Sequence, residues 1–312
     1  MSDASSLVKL LRDNVNSVVL GKAEVVESCL TALLAGEHLL LEDVPGVGKT
    51  LVGKAIARSI AGEFRRIQFT SDLLPSDIVG SNVFNTRTSD FSFHKGPIFS
   101  NVVLADEINR APPRTQSALL EAMSERQVSV DGETLALPNP FIVIATQNPF
   151  EMEGTYSLPE SQMDRFLLRI SMGYPGRTEE RLVLSSHRNI DPVSELKSVI
   201  SFEDLLRIQN QVREVKVDVA IENYLLEIAS RTRTSDELRV GVSTRAVLSV
   251  YRAAQARAVL CGRDFVIPDD VKTLAVAALS HRVIAKGLLR AGQRTAVEAV
   301  LTRLIEAVPV PT

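Results

Sequence analysis

The sequence predicts an α/β core, a parallel sheet sandwiched by helices, followed by an all-α domain. Three observations carry this. Short apolar runs alternate with helical patterns from about residue 36 to 172. Most of those runs are too continuous for a sheet with one wet face, and strands buried on both faces look like this. After residue 177 the runs stop and only helical spacing remains.

The predicted strands are HLLL (38–41), RRIQF (65–69), NVVLAD (101–106), FIVIAT (141–146) and FLLRISM (166–172), a five-stranded sheet. Between them, 48–60 and 112–126 have helical periodicity. In the second, Ala118, Leu119, Ala122 and Met123 form one stripe, and Pro112-Pro113 suit a helix entry. QVSVDGETLAL alternates around Asp131-Gly132, a hairpin signal. The later helical stretches are 178–188, 202–212, 220–231, 244–260, 269–285 and 295–308, with Pro268 and Asp269-Asp270 as a start signal. A compact turn at Tyr174-Pro175-Gly176 divides the chain into domains 1–174 and 175–312.

At 312 residues the chain has room for about two domains of roughly 150 residues each. It is 45% hydrophobic, has no Trp and has only 5% aromatic residues, so the core must be aliphatic. The charge balance is 35 basic against 38 acidic residues, which excludes a histone-like tail and a broadly cationic nucleic-acid clamp. Two cysteines, Cys29 and Cys261, suit neither a disulfide framework nor a zinc cluster, and are expected as small buried hydrophobes in a reducing compartment. His38, His94, His187 and His281 make no metal-ligand spacing. The N-terminus carries Asp3, Lys9, Arg12 and Asp13 and is not a secretory signal, and no apolar run approaches the ~20 residues of a membrane span. A cytoplasmic location is expected.

The strongest motif is EDVPGVGKT at 42–50, between an apolar strand and the helical LVGKAIARSI. A glycine-rich turn there lets backbone N–H groups converge on phosphate at the positive end of a helix. Lys49 would reach the β- and γ-phosphates, and the Thr50 hydroxyl would bind Mg²⁺. The full pattern is G-x-x-x-x-G-K-[ST]; Gly48, Lys49 and Thr50 are in place, with Gly46 inside the loop, and Asp43 stands where the first glycine is expected. The second motif, VVLADE at 102–107, ends an apolar strand in two acids. Asp106 would hold Mg²⁺ through water, and Glu107 would polarise the attacking water as general base. In FIVIATQNP, Asn148 either positions that water and reads the γ-phosphate or is a turn residue before Pro149.

Together LLEDVPGVGKT, DEINRAPPRTQSALLEAMSERQV, ATQNP, LPESQMDRFLLRI and GVSTRA resemble the MoxR family of AAA+ ATPases, over nearly the whole chain. The resemblance implies an AAA+ P-loop NTPase core with an all-α lid, and ATP/ADP bound with Mg²⁺ by Pro45, Gly46, Val47, Gly48, Lys49, Thr50, Leu51 and Asp106. Asp43 in place of glycine is usual in this family. Asn148 matches the first sensor. Arg165 matches the arginine finger offered to the neighbouring subunit's ATP; its alternative is an arginine capping helix carbonyls. Arg245 matches the second sensor, reaching from the lid to the nucleotide; its alternative is an exposed first-turn arginine. Relatives often have Pro where Thr244 stands. Val19 and Leu20 resemble the segment whose backbone reads adenine. Stretches 73–97 and 127–137 resemble hairpin insertions lining the face or pore of a ring, and Phe84, Phe91 and Phe93 suit a moving contact surface.

The function so implied is Mg-dependent ATP hydrolysis by a ring, a hexamer, that remodels or matures partner proteins. Metal-cofactor insertion and a von Willebrand factor A-domain partner are part of that expectation. The alternatives are a chelatase-like motor, a DNA-acting motor and a nucleotide-gated scaffold with little turnover. No winged-helix-sized segment follows the last helical stretch, and no Asn-Lys-x-Asp guanine-reading motif is present.

Overall fold

The computed structural model describes residues 2–43, 46–87, 89–148, 154–174, 176–178, 180–181, 192–286 and 293–311. Two helices, α1 (Ser2–Asn16) and α2 (Ala23–Ala35), precede β1 (His38–Glu42), α3 (Lys49–Ser59) and β2 (Phe64–Gln68). A short α4 (Pro75–Val79) leads into the hairpin β3 (Gly80–Asn85) and β4 (Asp90–Lys95). Then come β5 (Val102–Asp106), a 3-10 turn (Ile108–Arg110), α5 (Pro113–Glu125) and the hairpin β6 (Gln127–Val130) and β7 (Glu133–Ala136). The core closes with β8 (Ile142–Gln147), α6 (Glu160–Met163) and β9 (Phe166–Ile170).

Five strands form one sheet in the order β2-β5-β8-β1-β9, every pair parallel. β1 and β5 are buried along their whole length, as continuous apolar runs require. β2 departs from that expectation: only Ile67 is buried, because β2 is an edge strand with a single neighbour. Parallel register aligns the carboxyl ends. Glu42 lies opposite Gln147, and Gln68 opposite Asp106. Every chemistry-bearing strand end therefore falls on one edge of the sheet.

Both hairpin expectations hold. At Asp131-Gly132, φ is 51° and 86°, the positive pair a two-residue turn between twisted strands demands. At the base of the β3–β4 hairpin, Gly80 has φ 96°, and a Cβ there would lie 2.2 Å from the His94 carbonyl oxygen, so only glycine fits.

The second half is helical: α7 (Pro192–Glu195), α8 (Phe202–Glu214), α9 (Val219–Thr234), α10 (Thr244–Leu260), α11 (Pro268–Leu279) and α12 (Gln293–Glu306). Side chains at the N-caps fix three of these starts: Ser201, Asp218 and Ser243 accept from Asp204 N, Ala220 N and Ala246 N. Most of the expected helix 178–188 lies outside the described residues. The helix expected over 269–285 ends at Leu279, because His281 and Arg282 turn to bond the Phe166 carbonyl and Asp164 at the start of β9. Beyond that turn β11 (Ile284–Ala285) pairs with β10 (Leu238–Val240), a ribbon too short for periodicity to reveal. The sequence reading also missed α1 and α2. They pack against α3 and α10, so one aliphatic cluster runs unbroken from Ala4 through β1 to Val308.

Cys29 is buried, and its burial raises the thiol pKa to about 12. Cys261 is exposed at the end of α10, which corrects the expectation that both are core residues. Among the described residues no helix is long and apolar enough to cross a membrane.

His38, at the start of β1, is buried between Met123 O, which Nε2 faces at 3.1 Å, and Val143 N, which donates to Nδ1 at 3.0 Å. The accepting Nδ1 fixes the neutral tautomer. Burial lowers its pKa from 6.5 to about 4, so between those values only the unfolded chain takes the proton. Its contribution is complete above pH 6.5 and is lost as pH falls towards 4, a total of roughly 3 kcal/mol. His38→Gln should flatten the acid side of the urea-midpoint profile in that window; an unchanged slope would remove His38 as its source.

Candidate functional site

The carboxyl end of β1 runs into the glycine-rich loop. Gly46 and Gly48 have φ 85° and 97°, conformations that other residues adopt only with strain. Gly48 is the N-cap of α3, so Lys49, Thr50 and Leu51 form its first turn, where unpaired N–H groups gather. Lys49 is only 7% exposed, and its Nζ donates to the Asp43 carbonyl at 3.2 Å. Val47 is buried beneath the loop. Pro45 lies outside the described residues.

Asp43, the departure from the glycine pattern, has a structural role. Its Oδ2 accepts from the backbone N–H groups of Met172 and Gly173, each at 2.6 Å, and from Ser171 Oγ at 3.1 Å. That ties the loop to the exit of β9. Lys22 Nζ donates to the carbonyls of Met172 and Tyr174, at 2.6 and 2.8 Å, bringing the turn at Val19, Leu20 and Gly21 to the same place. The expected adenine segment thus sits beside the glycine loop. Glu42, one residue earlier, is buried between Arg169 Nη2 at 2.6 Å and Arg294 Nη1 of α12 at 3.1 Å.

β8 separates β1 from β5, so the acids are one strand away from the loop strand. Asp106 Oδ1 accepts from the buried Thr146 hydroxyl; Oδ2 accepts from Arg66 Nε at 3.1 Å and Nη2 at 2.5 Å. Glu107 has φ 59° and ψ 50°, a left-handed conformation costing a non-glycine residue about 1–3 kcal/mol. The same Thr146 oxygen accepts the Glu107 N–H at 2.9 Å and holds that bend. Glu107 Oε2 accepts from Gln68 Nε2 at 2.9 Å and Arg110 Nη1 at 3.1 Å. Asn148, buried at the end of β8 between the two motifs, has its carbonyl 3.5 Å from Asn109 Nδ2.

The two arginines lie elsewhere. Phe166 pairs with His38 at the start of both strands, so Asp164 and Arg165 stand at the amino edge, a strand length of about 15 Å from the loop. Arg165 Nη1 bonds the Leu120 carbonyl and Ser124 Oγ in the last turns of α5. Arg245, with a 74% exposed side chain, points its Nη1 at Asp164 Oδ2, 3.5 Å away. The nucleotide contact expected of Arg245 is therefore not formed on this chain's own loop among the described residues. The lid docks on the amino edge through α11 and the turn after it, where Arg282 bonds Asp164 at 2.7 Å, and α10 begins beside it.

Thr50 and Asp106 offer hard oxygens, the donor type Mg²⁺ takes from proteins alongside phosphate oxygens. Asp106 already faces one cation, Arg66, so the spot accommodates positive charge. Among the described residues no group of three or more His, Cys, Asp or Glu could hold a metal unaided. Thr146, Arg66 and Gln68 escaped the sequence reading as individual contributors; the one signal was a hydroxyl inside the otherwise apolar FIVIAT.

The model of the ATPase family associated with various cellular activities (AAA) matches residues 38–168, and the AAA lid domain matches 230–303. YeaC of Bacillus subtilis is 48% identical over 96% of this chain and 93% of its own. Chaperone MoxR1 of Mycobacterium tuberculosis is 41% identical over 95% of this chain and 80% of its own. A crystal structure of an ATPase candidate from Cytophaga hutchinsonii superposes with a TM-score of 0.91 and 38% identity, covering 99% of this chain and 96% of that one. A glycine loop at one strand end, an Asp-Glu pair one strand away and a helical lid are what these relatives' family name leads one to expect, and the chain belongs to the MoxR family of AAA+ ATPases.

Proposed function

We propose that this chain is one subunit of a ring, a hexamer, that hydrolyses ATP with Mg²⁺ and uses the turnover to remodel or mature partner proteins. The observation that carries the reading is the single sheet edge at which buried Lys49, buried Asn148 and the braced Asp106–Glu107 pair all end. In this reading residues 1–174 are the nucleotide-binding core and 175–312 the lid. Lys49 and the first N–H groups of α3 bind the phosphates, and Val19 and Leu20 flank the adenine. Thr50, and Asp106 through water, would hold the Mg²⁺ ion, which would supply charge neutralisation at the β- and γ-phosphates. Glu107 takes a proton from water as the water oxygen bonds to the γ-phosphorus. The bond to the bridging oxygen breaks, and ADP leaves with that electron pair. Asn148 positions the water.

Protein clients are favoured by the name of the chaperone relative and by the net charge of −3, which does not suit a nucleic-acid track. Metal-cofactor insertion and a von Willebrand factor A-domain partner stay within this proposal. Two free thiols, Cys29 and Cys261, suit work in the cytoplasm. Arg165 and Arg245, both at the amino edge, serve the nucleotide of the neighbouring copy.

Lys49→Ala should largely abolish ATP binding in a folded protein; a titration showing unchanged affinity would reject the loop assignment. Glu107→Gln should bind ATP normally and turn over tens of times more slowly or worse, within the ~10²–10⁴ range of general-base catalysis. Near-normal single-turnover hydrolysis would place the base elsewhere. Arg165→Ala and Lys49→Ala should each be inactive alone, yet regain part of the activity when mixed in one ring, because some interfaces pair an intact loop with an intact finger. Co-assembled mixtures that recover nothing would leave Arg165 as a support for α5 alone.

A further inference from the structure

Arg66 is basic and sits on an edge strand, where an arginine can simply face water. Its geometry says otherwise. Two of its nitrogens, Nε at 3.1 Å and Nη2 at 2.5 Å, converge on Asp106 Oδ2. Nη2 also donates to Gln68 Oε1 at 2.7 Å, and Gln68 passes the contact on to Glu107. With Thr146 on Oδ1, both oxygens of Asp106 are engaged. The two partners differ in kind. Thr146 is fully buried and fixed in the sheet, whereas the Arg66 side chain is 48% exposed and can leave without opening the core.

We infer that Arg66 is a stand-in cation for the divalent metal at Asp106: its guanidinium neutralises the carboxylate when no metal is present and must be displaced for Mg²⁺ to engage. The physical basis is charge. Asp106 is 7% exposed at the end of a fully buried strand, where a carboxylate without a cation or strong donors is costly. With two guanidinium N–H groups already on Oδ2, a divalent cation or its bound water arriving there meets a like charge and occupied lone pairs, so the arginine and the metal compete for it. Arg66 is therefore a positioning residue that sets how much Mg²⁺ the site demands, and it contributes no reacting atom.

The inference rests on the Mg·ATP reading above, and the test separates the two. ATP binding by the full-length protein is measured by calorimetry while Mg²⁺ is titrated against an EDTA baseline. Arg66→Gln should lower the Mg²⁺ concentration at half-maximal enhancement of ATP affinity by roughly two- to tenfold, the span expected for a half-exposed ion pair. Arg66→Lys, which keeps the charge but loses the fork, should shift the midpoint less and in the same direction. Arg65→Gln is the control, because Arg65 alternates to the other face of β2 and pairs with Glu63. It removes the same charge one residue away and should leave the midpoint where it is. An unchanged or higher Mg²⁺ midpoint in Arg66→Gln, or an equal shift in Arg65→Gln, would overturn the stand-in role while leaving the nucleotide site standing. Wild-type protein that binds no ATP at any Mg²⁺ concentration would instead remove the site reading itself.

Discussion

Two adjacent carboxylates at the end of a fully buried strand are the problem around which this molecule is arranged. Asp106 and Glu107 follow four apolar residues, Val102 to Ala105, that have no exposure. Alternation along β5 would send consecutive side chains to opposite faces and scatter the pair. The left-handed turn at Glu107 breaks that alternation, and its cost is met by bonds from the two neighbouring strands. Thr146 of β8 serves both residues with one oxygen, donating to the Asp106 carboxylate and accepting from the Glu107 N–H. Arg66 and Gln68 of β2 reach in from the other side, on alternate residues of one face. β5 has to lie between β2 and β8 for this to work, and the strand order places it there.

The glycine loop is braced by a separate set. Asp43 is a buried acid where a glycine would suffice for phosphate approach. Its carboxylate is satisfied by two backbone N–H groups and a hydroxyl from 171–173, which makes it an anchor rather than an unpaired charge. Glu42 reaches across to Arg169 on β9 and Arg294 on α12. The loop strand is thereby bonded to the last helix of the chain.

How much of this was legible depended on the range of the interaction. β1, β5 and β8 announce themselves because strands buried on both faces must be apolar throughout, and the loop and acid motifs follow from their position at strand ends. Asp131-Gly132 fixed a hairpin because its turn demands positive φ at two residues. Arg66 was invisible for the opposite reason: an arginine on an edge strand looks identical whether it faces water or Asp106, and only the β2–β5 register decides. The early end of α11 was equally hidden, since Ala/Leu spacing continues towards Ala285 while His281 and Arg282 are drawn off by a strand more than a hundred residues earlier. Thr146 sits between these cases, a hydroxyl in an apolar run that signals a buried bond without naming its partner.

Arg245 is the most informative displacement. Motif position alone sends it to the nucleotide, but the start of α10 is beside Asp164, and Asp164 precedes β9 at the edge opposite the loop. A side chain of arginine length cannot cross a five-residue strand of about 15 Å to its own phosphate loop. Arg165, its neighbour through Asp164, faces the same way. An ATPase of this type needs cations on the transferring phosphoryl group beyond the loop lysine. Within one chain the described residues place Lys49 at one edge and this arginine pair at the other. The proposed assembly would bring the amino edge of one copy to the carboxyl edge of the next. Such a contact is head-to-tail, and head-to-tail contacts that close generate rings.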